Sequence, residues 1–155
     1  IAGEMAEQTK KSFEFGVARN DFDYEDYRTA FIKSKGESSA WLLDAYYQLG
    51  AKEFDKLTEI VNAALEQKKI SPDQLHWFAW KAYQGDIMTS DQLKWINSAL
   101  RVQPDYSKWD TKAAIQFSMG KFEDAMESAK LAKKEAQGGQ TETTSILLSL
   151  LSEKK

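Results

Sequence analysis

The residues able to do acid–base or metal chemistry are few and scattered. His76 is the only histidine, and Leu75 and Trp77 flank it in an apolar stretch. One imidazole with no second histidine makes no metal pair, and it has no obvious orienting partner, so the sequence reads it as a packed or groove-lining side chain. Asp21, Asp23, Glu25 and Asp26 form the densest acidic cluster. It lacks the central glycine and closing glutamate of a calcium loop, and it suits the cap and first turn of a helix instead. Gly138-Gly139 is not followed by the lysine of a phosphate loop, and no serine sits in a nucleophile elbow. With no cysteine, thiolate nucleophiles, thiolate metal sites and disulfides are excluded together. The expectation is a chain with no catalytic residues, no cofactor and no metal.

The elements that would position a binding surface are easier to read. Only 2 prolines and 8 glycines punctuate the 155 residues, and good helix formers fill the intervals. Helices are expected near 4–19, 24–34, 38–49, 53–68, 72–84, 90–102, 106–119, 121–136 and 142–152. No stretch alternates with period two for long enough to form a strand. Ser71-Pro72-Asp73-Gln74 and Thr89-Ser90-Asp91-Gln92 read as matching helix starts, with a hydroxyl capping backbone N–H groups and a glutamine returning the bond. Asp23 is expected to cap a helix and Gly36 to end it. In 121–136, Phe122, Ala125, Met126, Ala129 and Ala132 form one stripe opposite Lys121, Glu123, Glu127, Lys130 and Lys134.

Gly50, Gly85 and Gly120 stand 35 residues apart, each closing an apolar stretch. That interval is the size of a repeated helix pair. Ala64-Leu65 and Ala99-Leu100 keep the same spacing, whereas Ala132 follows its glycine by only 12 residues. Counted this way, the third turn is two residues shorter than the first two. The register of the first two units stays open, because their longer turn can belong to either helix.

With 42% hydrophobic residues, the chain is long enough to bury roughly two thirds of its unfolded surface. Its 21 basic and 24 acidic residues are interspersed, giving no electrostatic footprint for nucleic acid. No apolar run reaches the length of a membrane span, so membrane insertion is not expected. The start at Ile1 suggests a processed or excised piece of a longer protein, and the compartment, periplasmic or cytoplasmic, stays open.

Residues 38–137 resemble tetratricopeptide (TPR) repeats, whose pattern runs Trp, then Leu and a small residue, then Tyr, with spaced Ala and an aromatic in the second helix and often Pro. Trp109, Ala113, Gly120, Phe122, Ala125 and Ala132 fall at the family's spacing, while Lys112 and Gln116 replace its Leu and Tyr. Ala99, Leu100 and Pro104 match in the second unit, and Ala45-Tyr46-Tyr47-Gln48-Leu49-Gly50 matches in the first. The whole is also similar to the helical tails that follow thioredoxin-like domains in some bacterial envelope proteins. The resemblance implies an all-α, right-handed solenoid of TPR-like antiparallel helix pairs. Residues 1–37 form a degenerate helix pair packing on the repeats, 38–137 the three units, and 138–155 a linker and capping helix offering Ile146, Leu147, Leu150 and Leu151.

It further implies a concave face, lined by first helices, that binds a protein or peptide through Trp41, Asp44, Tyr47, His76, Lys81, Tyr83, Asp110 and Phe117. The alternative partner is an upstream domain of the same polypeptide. The family's clamp for a terminal carboxylate uses Lys, Arg and Asn on these helices, and only Lys81 is offered here. If Ala132 sits where helices meet closely, Ala132→Trp overpacks that contact at a cost of about 1–3 kcal/mol. A thermal melt checks this, and an unchanged midpoint contradicts the placement.

Overall fold

A computed structural model describes residues 23–87, 90–136, 148–150 and 152. Among them are seven α-helices and no strand: α1 (Tyr24–Lys35), a 3-10 turn (Glu37–Ser39), α2 (Ala40–Gly50), α3 (Phe54–Glu66), α4 (Pro72–Gln84), α5 (Ser90–Val102), α6 (Tyr106–Ser118) and α7 (Phe122–Glu135). Residues 148–150 are helical as well. The helix expected over 4–19 lies outside the described residues, as does most of the one over 142–152. The chain divides between Lys69 and Ile70 into two compact units. The first holds α1 to α3 and the second α4 to α7, so the division falls within the 38–137 segment, after its first helix pair.

Helix starts follow local chemistry. Asp23 caps α1, its Oδ1 accepting from the Asp26 N–H at 3.2 Å. Ser71 opens α4 with a complete capping box: Gln74 N–H donates to Ser71 Oγ at 3.1 Å, and Ser71 N–H donates to Gln74 Oε1 at 2.9 Å. Pro72 takes the first-turn position, where a missing N–H costs nothing. Asp105 caps α6 through the Lys108 N–H at 2.9 Å. Of the second expected capping box, Thr89 lies outside the described residues, and Gln92 is buried in α5.

The first helix of each pair ends in the same hydrogen-bonded turn, and here the glycine reading needs correcting. The left-handed residues are Lys52, Asp86 and Gly120, 34 residues apart each time. In each turn the left-handed residue donates backward, from Lys52 to Leu49 O, Asp86 to Tyr83 O and Gly120 to Phe117 O. The next residue reaches one step further, from Glu53 to Gln48 O, Ile87 to Ala82 O and Lys121 to Gln116 O. Gly50 and Gly85 therefore stand two residues and one residue ahead of the positions that need a left-handed backbone. Measured from the true turn residues, α3 and α7 both start two residues on and α5 four. The middle turn is the long one, and the first and third match.

The same interval organises the core. Ala45, Ala79 and Ala113, at 34-residue spacing in α2, α4 and α6, have 0% exposure. In the second helices the buried triplets Leu57-Val61-Ala64, Gln92-Ile96-Ala99 and Ala125-Ala129-Ala132 share one spacing. Within the first unit α2 packs against α1 and α3. Within the second, α4 packs on α5, α6 on α5 and α7, and α4 also touches α6. Phe78 and Trp95 are fully buried in this second core, each contributing about 2–3 kcal/mol by burial. Ala113, Ala125 and Ala129 form a small-residue cluster covered by Phe117, Met126 and Leu148. The described residue that seats the C-terminal segment is thus Leu148, whereas Leu150, expected to pack, is 40% exposed. Ile146, Leu147 and Leu151 lie outside the described residues.

A Cβ on Gly120 would meet nothing within 4 Å, yet its φ is +78°. Gly120→Ala therefore costs about 1 kcal/mol through backbone strain alone, and Lys52→Gly, which relieves the same strain, stabilises by about 0.5–1 kcal/mol. Denaturant melts of the two variants check the opposite signs.

Candidate functional site

Two side-chain pairs join the first helices α4 and α6, and each links residues 35 apart in sequence. His76 Nε2 lies 2.8 Å from Thr111 Oγ1. Lys108 Nζ donates to Asp73 Oδ1 at 3.2 Å, and also to Asp105 Oδ2 at 2.6 Å. Lys108 is fully buried. An ammonium with no partner there would cost several kcal/mol, and two carboxylates at the open end of the site supply its charge-assisted bonds. Burial pulls the Lys108 pKa down, but the hydrogen bonds and charges of Asp105 and Asp73 outweigh it and leave it raised. Burial likewise works against ionised Asp105, and the bonds from Lys108 win and hold that carboxyl below its ordinary value. For His76, desolvation comes first and the Lys108 charge adds to it, so its pKa falls despite the opposing pull of Asp105 and Asp73. A neutral imidazole bonded to a buried hydroxyl is a brace between helices.

The other residues expected to line a face fall into three groups. In the first unit, α1 occupies two of them: Arg28 forks onto Asp44, with Nε to Oδ1 at 2.9 Å and Nη2 to Oδ2 at 3.3 Å, and Tyr24 stacks on Tyr47 at 4.0 Å between centroids. Burial pushes the Asp44 carboxyl up even beside that guanidinium. Trp41 is half-buried. In the second unit, Lys81 Nζ lies over the Trp77 ring at 5.5 Å, and Tyr83 stacks on Trp80 at 5.2 Å. His76 and Tyr83, seven residues apart, share one side of α4. Phe117 meets Phe122 edge-on at 5.3 Å and covers the alanine cluster, and Asp110 is half-buried on α6. Helical spacing thus puts His76, Trp80 and Tyr83 on one stripe of α4, where His76 meets α6, and the structure engages Asp44, Tyr47 and Phe117 in packing.

One concave feature carries none of the expected site residues. Between α5 and α6 runs an open groove of about 560 Å³, lined by Lys94, Asn97, Leu100, Arg101, Trp109 and Lys112. Its one sequence signal is Lys112, a cation where the repeat pattern calls for leucine. Among the described residues no group of His, Asp and Glu could hold a metal ion, and no helix is long and apolar enough to cross a membrane. No known protein family, curated protein or solved structure matches the chain.

The depressed His76 pKa fixes a pH dependence. Below its ordinary 6.5 the unfolded chain takes a proton that the folded chain resists, so the stabilisation present above pH 6.5 is lost as pH falls. The thermal midpoint is expected to drop between pH 7.5 and pH 5.5, and His76→Gln, which keeps a partner for Thr111 and cannot titrate, flattens that drop. Equal slopes for the two proteins contradict the assignment.

Proposed function

We propose that this chain is a non-catalytic interaction module, a right-handed solenoid of TPR-like helix pairs whose first helices together bind a peptide or the surface of another protein. The observation that carries this reading is the direct bracing of α4 to α6 by His76–Thr111 and Asp73–Lys108, with α5 and α7 packed against the same two helices. First helices of successive pairs then make one surface, with Tyr83 and Trp80 as aromatic anchors and Asp110 setting register. The TPR resemblance gains support from Trp41, Leu75 and Trp109 at one 34-residue spacing, each followed four residues on by the fully buried Ala45, Ala79 or Ala113. In the first unit, taken by itself, Trp41, Asp44 and Tyr47 are the corresponding first-helix residues, and α1 engages Asp44 and Tyr47 there. His76, Lys81 and Phe117 support the surface from beside it.

The test is selection from a displayed random peptide library on the purified protein. Enriched peptides are expected to lose about tenfold in affinity for each of Tyr83→Ala and Asp110→Ala, with helical content unchanged. Enrichment of peptides whose binding survives both changes contradicts the first-helix surface. A library that yields no binder contradicts peptide recognition and favours a tail that packs on another domain of its own polypeptide.

A further inference from the structure

The groove between α5 and α6 concentrates positive charge on a chain whose net charge is −3. Lys94, Arg101 and Lys112 all line it, and no acidic residue does. Among the described residues no carboxylate lies within ion-pair distance of any of the three. Arg101 donates only to Ser98 Oγ, at 3.1 Å, and Lys112 rests against the Trp109 ring at 5.1 Å from the centroid. The floor beneath these cations is apolar, formed by Leu100, which is 7% exposed, and the half-buried Trp109. Lys94, Asn97 and Arg101 recur at spacings of three and four, so they lie on one side of α5, and Asn97 sets an amide donor and acceptor between two charges.

From this arrangement we propose that the groove binds an acidic peptide segment in which two carboxylates, three residues apart, flank an apolar side chain. Lys94 and Arg101 are two helical turns apart, about 10.5 Å along the axis. Three residues of polyproline II chain span about 9.3 Å and bring the first and fourth side chains to the same side. A carboxylate at each end then meets one cation, Asn97 bonds the intervening backbone, and the apolar side chain lies on Leu100 and Trp109 with Lys112 closing the far wall. Lys112 is suited to receive a counter-charge, because burial holds its pKa down and only the more distant Asp124 opposes that. A compact anion would use one or two of the cations and leave the apolar floor empty. Neither Tyr83 nor Asp110 lines this groove.

The experiment is an NMR titration of the ¹⁵N-labelled protein with the blocked tetrapeptide Asp-Gly-Leu-Asp. The Asn-Gly-Leu-Asn counterpart, citrate and an oligothymidylate serve as comparison probes. The Trp109 indole N–H and the Asn97 side-chain amide are expected to shift saturably with the acidic peptide. The amide counterpart binds at least about tenfold more weakly, and Arg101→Glu, at an exposed position, costs at least about tenfold. Lys112→Met supplies the sharper readout, because it removes a cation that burial disfavours. The thermal midpoint rises while peptide affinity falls about fivefold, a combination that a merely structural lysine does not give. Tyr83→Ala leaves the titration unchanged, so the groove stands or falls apart from the first-helix surface. Equal binding of the acidic and amide peptides overturns the proposal, as does citrate or oligothymidylate binding as tightly as the peptide, or shifts that map away from α5 and α6.

Discussion

Three alanines with no exposed surface, Ala45, Ala79 and Ala113, set the distance at which first helices meet their neighbours. A methyl group at that position lets two backbones approach closely. At Ala79 and Ala113, which share the second unit with the fully buried Phe78, Trp95 and Ile115, a larger side chain would overpack that core. Much else follows from that spacing. The buried triplets of the second helices share one internal spacing, and the turn after each first helix closes with the same pair of backward hydrogen bonds. The requirement is strong enough to hold Lys52 and Asp86 in left-handed conformations that glycine would adopt without strain.

That priority of packing over local preference explains what the sequence made legible. Helix existence and type are plain in the composition and periodicity, and the boundaries agree to within a few residues because their caps are chemical: Asp23 on α1, the Ser71–Gln74 box on α4, Gly36 after α1. The left-handed turn residues and the buried alanines recur every 34 residues, one fewer than the glycines. Glycine is the visible marker of a helix end, yet only Gly120 occupies the left-handed position, while Gly50 and Gly85 stand earlier in turns finished by other residues. The period is legible in Ala45, Ala79 and Ala113, but alanine is common in helices and draws no notice until its burial is known.

The side chains of the candidate sites were less legible, and for a different reason. Lys108 follows an ordinary capping aspartate and reads as a solvated charge. Only the approach of α4, which brings Asp73 from 35 residues upstream, makes it a buried brace. Asp44 and Tyr47 stand on a helix stripe that resembles a binding surface, and the helix that meets them carries Arg28 and Tyr24 from a region with little repeat character. The α5–α6 groove is the converse case, since its cations lie on two helices and converge only when those helices pack. Sequence periodicity locates the face of one helix. It does not say which other helix will cover it.

In the second unit α4 and α6 lie side by side, and the contact between His76 and Thr111 tests that most directly. In a nuclear Overhauser spectrum of the folded protein, the His76 ring protons are expected to show cross-peaks to the Thr111 methyl group, matching the 2.8 Å approach of Nε2 to Oγ1. The same ring signals should titrate below the ordinary histidine value of 6.5. Intact signals within α4 and within α6, with no cross-peak between His76 and Thr111 and a ring that titrates normally, would contradict the side-by-side arrangement and the shared surface built on it.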